Sequence, residues 1–182
     1  ISRAHLANGR AAAVILSSGN ANAATGEPGR RRAGRMCELA AEGLHAATAD
    51  LLVCSTGLIG IPMPMHALEA GIPTLAGALR ADGGGDAAQA ILTTDTVRKE
   101  AIAPAGRAIV GGMAKGAAML SPAMATMLAV LTTDASADPE VLQRSLARAV
   151  SETFDCLSVD GCRSTNDTVI VLAGGRAGAV DP

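Results

Sequence analysis

The chain has 182 residues, 49% of them hydrophobic and 18% charged, with a formal net charge of −2. That length suits one domain with a substantial core, and the balance is that of a soluble globular protein rather than a disordered one. Near-neutral charge and a single aromatic, Phe154, exclude the basic, base-stacking surface of a nucleic-acid binder. No apolar run reaches the ~20 residues that a bilayer span takes.

The core is therefore expected from Ala, Leu, Val, Ile and Met, with 21 glycines permitting close backbone approach. In chain order, "RAAAVILSSGNANAATG" (10–26) reads as a buried strand ending in a Gly/Asn turn cluster. "RRRAGRMCELAAEGLHAAT" (30–48) places Met36, Leu39, Ala40 and Leu44 at helical spacing. "ADLLVCSTGLIG" (49–60) is a second apolar strand, running into a Ser-Thr-Gly turn. "PMPMHALEAGIPTLAGAL" predicts short helical pieces broken by proline, and a helix is expected to start near Asp86. "RAIVGGMAKGAAML" reads as a strand with a glycine-rich bend, followed by the strand-like run around Thr126. Asp138 as N-cap, Pro139 as N1 and the stripe Leu142, Leu146, Val150, Phe154 predict the clearest helix. "DTVIVLAGG" (167–175) is a last buried strand. Strands and helices alternate without the regularity of a doubly wound repeat, so the expected class is α/β or α+β, with mixed sheets layered with helices.

The four cysteines lack the tight spacing of a zinc site and read as free thiols, which fits a reducing cytoplasm. No metal site is expected. No signal peptide is visible, and Ile1 in place of Met leaves a lost leader open. "GGMAKGA" lacks the spacing of a phosphate-binding loop, there is no G-x-S-x-G elbow, and His5, His45 and His66 sit in no catalytic setting.

Three polar clusters end apolar strands: Ser17 to Asn22, Ser55 to Gly57, and Ser164 to Asp167. A nucleophile that works without histidine is an N-terminal threonine, whose own α-amine takes the hydroxyl proton. Thr126 fits this if the chain is cut at Ala125–Thr126; otherwise it is a strand threonine whose hydroxyl is hydrogen-bonded. On the first reading, Thr56 and Gly57 are the candidate oxyanion donors; on the second, "STG" is an ordinary strand-end turn.

The blocks "SSGNANAATG", "VCSTGLIG", "ILTTDT", "GGMAKGAAMLSPAMATMLAVLTTDA" and "VDGCRSTNDTVIVLAGG" occur in this order over essentially the whole chain. In this the sequence resembles the ornithine acetyltransferase family of arginine biosynthesis. The resemblance implies the self-processing N-terminal-Thr acetyltransferase/aminopeptidase fold, in a single catalytic domain over 1–182 that is incomplete at both ends. Self-cleavage at Ala125–Thr126 would leave an α part (1–125) and a β part (126–182). It implies that Thr126 carries the acetyl group from N-acetylornithine to glutamate, with Thr56 and Gly57 at the oxyanion and Thr93, Lys115 and Thr126 at the substrate. No metal or organic cofactor is implied, although some members also use acetyl-CoA as co-substrate. The cleaved fragments of the family assemble with each other, as an α/β heterotetramer, and the location is cytoplasmic.

Ser17 replaces the family's usual Asn, and Arg98 its common Pro. Family members also continue past this chain, where they supply an acidic residue for the substrate's amino group. The competing readings are a related self-processing aminopeptidase or amidase, with water as acyl acceptor, and an inactive truncated domain in which Thr126 merely packs.

Overall fold

The computed structural model describes residues 1–121, 127–162 and 164–179. They form two compact units, Ile1–Gly83 and Gly84–Pro182. The class is mixed α/β, as expected.

In the first unit, a short helix α1 (Ser2–His5) precedes strand β1 (Ala13–Asn20), helix α2 (Gly26–Leu44), strand β2 (Leu51–Leu58) and helix α3 (Met65–Gly77). Strands β1 and β2 pair in parallel, from Ala13 opposite Leu51 to Asn20 opposite Leu58. A parallel pair cannot be joined by a tight turn, and α2 is the crossover. Its apolar stripe packs Met36, Cys37, Leu39, Ala40 and Ala41 against Ile15, Leu51, Met63 and Ile72. With no large aromatic to space the layers, small residues set the distance between helices. A Cβ placed on Gly43 of α2 would stand 2.6 Å from the Ala76 Cβ of α3.

Proline does not break the third helix as the sequence predicts. Residues 65–77 form one helix with Pro73 inside it. Pro73 is exposed, while neighbouring Ile72 is 4% exposed and anchors the helix in the core.

Cys37 is fully buried, its thiol 3.7 Å from the Leu51 carbonyl oxygen that accepts from it. Burial pushes this thiol up to about 11, the N-terminal ammonium pulling the other way and Glu38 adding to the rise. Under native conditions at pH 8, iodoacetamide is expected to label exposed Cys156 and Cys162 and to spare Cys37 until the chain unfolds. Peptide mass spectrometry reads the result, and equal labelling of the three would show that the α2–β2 core opens readily. Because the unfolded thiol ionises first, this group makes stability fall as pH rises from 9.0 toward 11.

The second unit holds helix α4 (Gly84–Ala90), strands β3 (Lys99–Ala105), β4 (Ala108–Lys115) and β5 (Leu128–Ser136), helix α5 (Pro139–Glu152) and strand β6 (Thr168–Ala179). Its sheet has the order β3-β4-β5-β6. The first two pairings are antiparallel; β5 and β6 are parallel, with α5 as crossover. Strand β3 has no counterpart in the sequence reading. Every residue in it is exposed, and its sequence shows no apolar/polar alternation and carries Pro104, which argues against a strand.

Helix α5 starts as expected: the Asp138 carboxylate accepts the Glu140 N–H at 2.9 Å and Pro139 follows the cap. Phe154 lies not on its stripe but in the 3₁₀ turn beyond (Phe154–Cys156). The strand expected in "RAIVGGMAKGAAML" is β4, ending at Lys115, and β5 starts at Leu128, just past Thr126; residues 122–126 lie outside the described residues.

Candidate active site

Of the polar clusters read as strand-end turns, Ser55 to Gly57 lies within β2, and Ser17 to Asn20 lie within β1 with only Ala21 and Asn22 beyond it. Ser17, Ser18 and Gly19 of β1 pair with Ser55, Thr56 and Gly57 of β2, so the "SSG" and "STG" motifs are partners in one ladder. Gly19 and Gly57 take φ of +119° and +127°, a region that L side chains rarely adopt. A Cβ on Gly57 would run into the Gly19 carbonyl and come within 2.8 Å of the Asn20 nitrogen. Thr56 is 1% exposed beside it. The Ser55 hydroxyl donates to the Ala21 carbonyl at 2.6 Å, and the Asn20 amide reaches the Ile61 and Pro62 carbonyls, each at 3.3 Å. These bonds tie the end of each strand to the loop that follows the other.

In the second unit Lys115 ends β4 and is 1% exposed, opposite Leu128 in the register, two positions after Thr126. Its Nζ stands 3.9 Å from Asp95 Oδ2. Burial pushes this ammonium below its ordinary range; Asp95 and Asp167 raise it, and Lys99 lowers it further. Thr93 lies just ahead of Asp95, and its N–H donates to Asp95 Oδ2 at 3.4 Å.

One loop, ahead of β6, holds the chain on both sides of residues 122–126. Asp160 accepts the Met119 N–H at 2.7 Å and the Leu120 N–H at 3.0 Å, while the Leu120 carbonyl accepts the Val159 N–H at 2.8 Å. Asp167 accepts the Met127 N–H at 2.9 Å, and the Thr168 N–H donates to the Met127 carbonyl at 3.0 Å. Burial raises the Asp167 carboxyl above its usual range, against the opposing pull of Met127, Ser164 and Lys115.

The structure thus places Thr56 and Gly57 in the first unit and Thr93 and Lys115 in the second; Ala125 and Thr126 lie outside the described residues. Asp95 and Asp160 were missed by sequence reasoning, and Asp167 was marked only as the end of the polar cluster that starts at Ser164. Their signal was present, an Asp inside each of the blocks "TTDT", "VDG" and "STND", but an Asp in a loop is usually solvated. Among the described residues, no group of three or more His, Cys, Asp or Glu is arranged to hold a metal ion. No helix among them is long and apolar enough to cross a membrane.

The family model of the ArgJ family matches residues 1–182. The chain belongs to the ArgJ family. It is 47% identical over 182 residues to the arginine biosynthesis bifunctional protein ArgJ of Symbiobacterium thermophilum, covering 98% of this chain and 45% of that protein. To the ArgJ of Mycolicibacterium paratuberculosis it is 51% identical over 183 residues, covering 95% of this chain and 45% of that one. The chain therefore spans a little under half the length of these ArgJ relatives. Among solved structures it is similar to the ornithine acetyltransferase of Mycobacterium tuberculosis in complex with ornithine. There the TM-score is 0.61 at 38% identity over 67% of each chain.

Proposed function

We propose that this chain carries the nucleophile and oxyanion portion of an ornithine acetyltransferase, moving an acetyl group from N-acetylornithine to glutamate in arginine biosynthesis. The observation that carries the reading is the likeness to the ornithine-bound acetyltransferase, taken with the family match over residues 1–182.

In the maturation step, the Thr126 hydroxyl oxygen attacks the Ala125 carbonyl carbon, and the bond to the Thr126 nitrogen breaks. An ester forms and the amine is freed; water then opens the ester. The fastening of Met119, Leu120 and Met127 by Asp160 and Asp167 supports this, because it fixes the described chain on either side of the proposed cut.

In the transfer step, the new α-amine, with a reference pKa of about 7.7–8.0, takes the hydroxyl proton as the oxygen attacks the acetyl carbonyl. Negative charge collects on the carbonyl oxygen, where the Thr56 hydroxyl and the Gly57 N–H donate to it; fixed donors of this kind are worth about 3–4 kcal/mol each. The C–N bond to ornithine breaks, and its amine leaves with the proton held by the α-amine. Glutamate's amine then attacks the acetyl ester and the threonine oxygen recovers its proton. Lys115 and Thr93 hold the substrate, Lys115 through its carboxylate. Acetyl-CoA is a further donor to test, and the cleaved fragments stay assembled with one another.

Incubation with N-acetylornithine and no acceptor is expected to add the mass of one acetyl group to the fragment beginning at Thr126. Glutamate is expected to discharge it as N-acetylglutamate. The M. tuberculosis ornithine acetyltransferase, assayed in parallel, serves as reference. Free acetate produced at the same rate with and without glutamate would assign the site to an amidase instead.

A further inference from the structure

The chain contains two lysines, Lys99 and Lys115, and both face one carboxylate. The Asp95 side chain is 0% exposed. Its Oδ1 accepts from Lys99 Nζ at 2.6 Å and from the Gly116 N–H at 2.7 Å. Its Oδ2 accepts from the Thr93 N–H at 3.4 Å and stands 3.9 Å from Lys115 Nζ. A single buried group therefore touches the backbone at Thr93, the backbone immediately after Lys115, and the field around the Lys115 ammonium.

A lysine this buried sheds its charge unless an anion opposes the loss of hydration, and a neutral amine has no charge-assisted hold on a carboxylate. The anions that act on Lys115 are Asp95 and Asp167, and the opposing cation is Lys99 on β3. The contacts of Asp95 are unequal. Its short hydrogen bonds go to Lys99 and to Gly116, whereas Lys115 sits outside hydrogen-bond distance, within reach of its field.

We propose that Asp95 is the positioning residue for substrate recognition in this protein: it locks the backbone of Thr93 and Gly116 and keeps Lys115 a cation able to take a substrate's carboxylate. This rests on the reading of Thr93 and Lys115 as substrate-binding residues.

The test is Asp95→Asn, which keeps the shape and an acceptor oxygen but removes the charge. With only two lysines, protein labelled with carbon-13 at lysine Cε gives two signals, which Lys99→Arg assigns, and circular dichroism checks that the variant folds. The Lys115 signal is expected to titrate at least about one pH unit lower in Asp95→Asn than in the wild type. Midpoints agreeing within about 0.3 unit would overturn the proposal.

Should Asp95→Asn fail to fold, Lys99→Arg leaves Lys115 the only lysine. The Asp95 carboxylate carbon must then shift with the same midpoint as Lys115, and an unmoved carboxylate overturns the proposal equally. Acetyl-transfer kinetics separate the two layers of the argument. Asp95→Asn is expected to raise KM for N-acetylornithine about tenfold or more with kcat changed less than about threefold. A shifted Lys115 titration with an unchanged KM would leave Asp95 in control of Lys115 and would remove Lys115 from the substrate site.

Discussion

Thr126→Ala is expected to leave the chain as one 18.0 kDa species where the wild type gives two pieces, residues 1–125 and 126–182. The substitution removes both the hydroxyl that attacks the Ala125 carbonyl and the group that would carry the acetyl. Intact mass under denaturing conditions reads the first loss. In an acetyl-transfer assay the second loss is expected to be about 10³-fold or more, since nucleophile and base are then missing together. Thr126→Ser keeps a hydroxyl and is expected to cleave, more slowly. Two pieces in Thr126→Ala would mean that a different group cuts the chain. One intact species in the wild type and the variant alike would mean that Thr126 is not a nucleophile in this chain.

Gly57→Ala is expected to be the most damaging small substitution in the first unit. Gly57 sits at φ +127° directly opposite Gly19 in the β1–β2 ladder, and the added methyl has no direction in which to go. It would press on the Gly19 carbonyl and the Asn20 nitrogen, which are backbone and cannot rotate away. A strained dihedral and an overfilled contact each cost about 1–3 kcal/mol, so the chain is expected to lose about 3 kcal/mol or more in urea unfolding. The same methyl displaces the N–H proposed as an oxyanion donor, so transfer falls beyond what stability explains. Gly60→Ala is the matched control, because Gly60 shares a positive φ but has nothing within 4 Å of the place its methyl would take. It should cost only the dihedral strain. Equal losses at the two sites would show that the close pairing with Gly19 is not what requires glycine.

Much of this architecture was legible without coordinates. A nearly aromatic-free composition dictated a core of small and aliphatic side chains, and Met36, Leu39 and Ala40 are buried where helical spacing puts them. The caps of α5 are written in Asp138 and Pro139. Strands β1, β2 and β6 announced themselves as apolar runs, and the ordered motif blocks pointed to the family that the relatives establish. These features are local, or depend on one period along the chain, and so leave a pattern in consecutive residues.

Tertiary structure decided the pairings. "SSG" and "STG" looked like two separate turns, and only the parallel register made Gly19 and Gly57 a single close contact. Pro73 looked like a break, yet the burial of Ile72 and the exposure of the proline let the helix run through it. Asp95 reaches Gly116 across 21 positions, and Asp160 and Asp167 reach Met119 and Met127 across about 40. A backbone N–H is the donor in each case, and it is the same in every residue but proline. A carboxylate's sequence position therefore cannot say which of these donors it will meet; the folded chain chooses the partner.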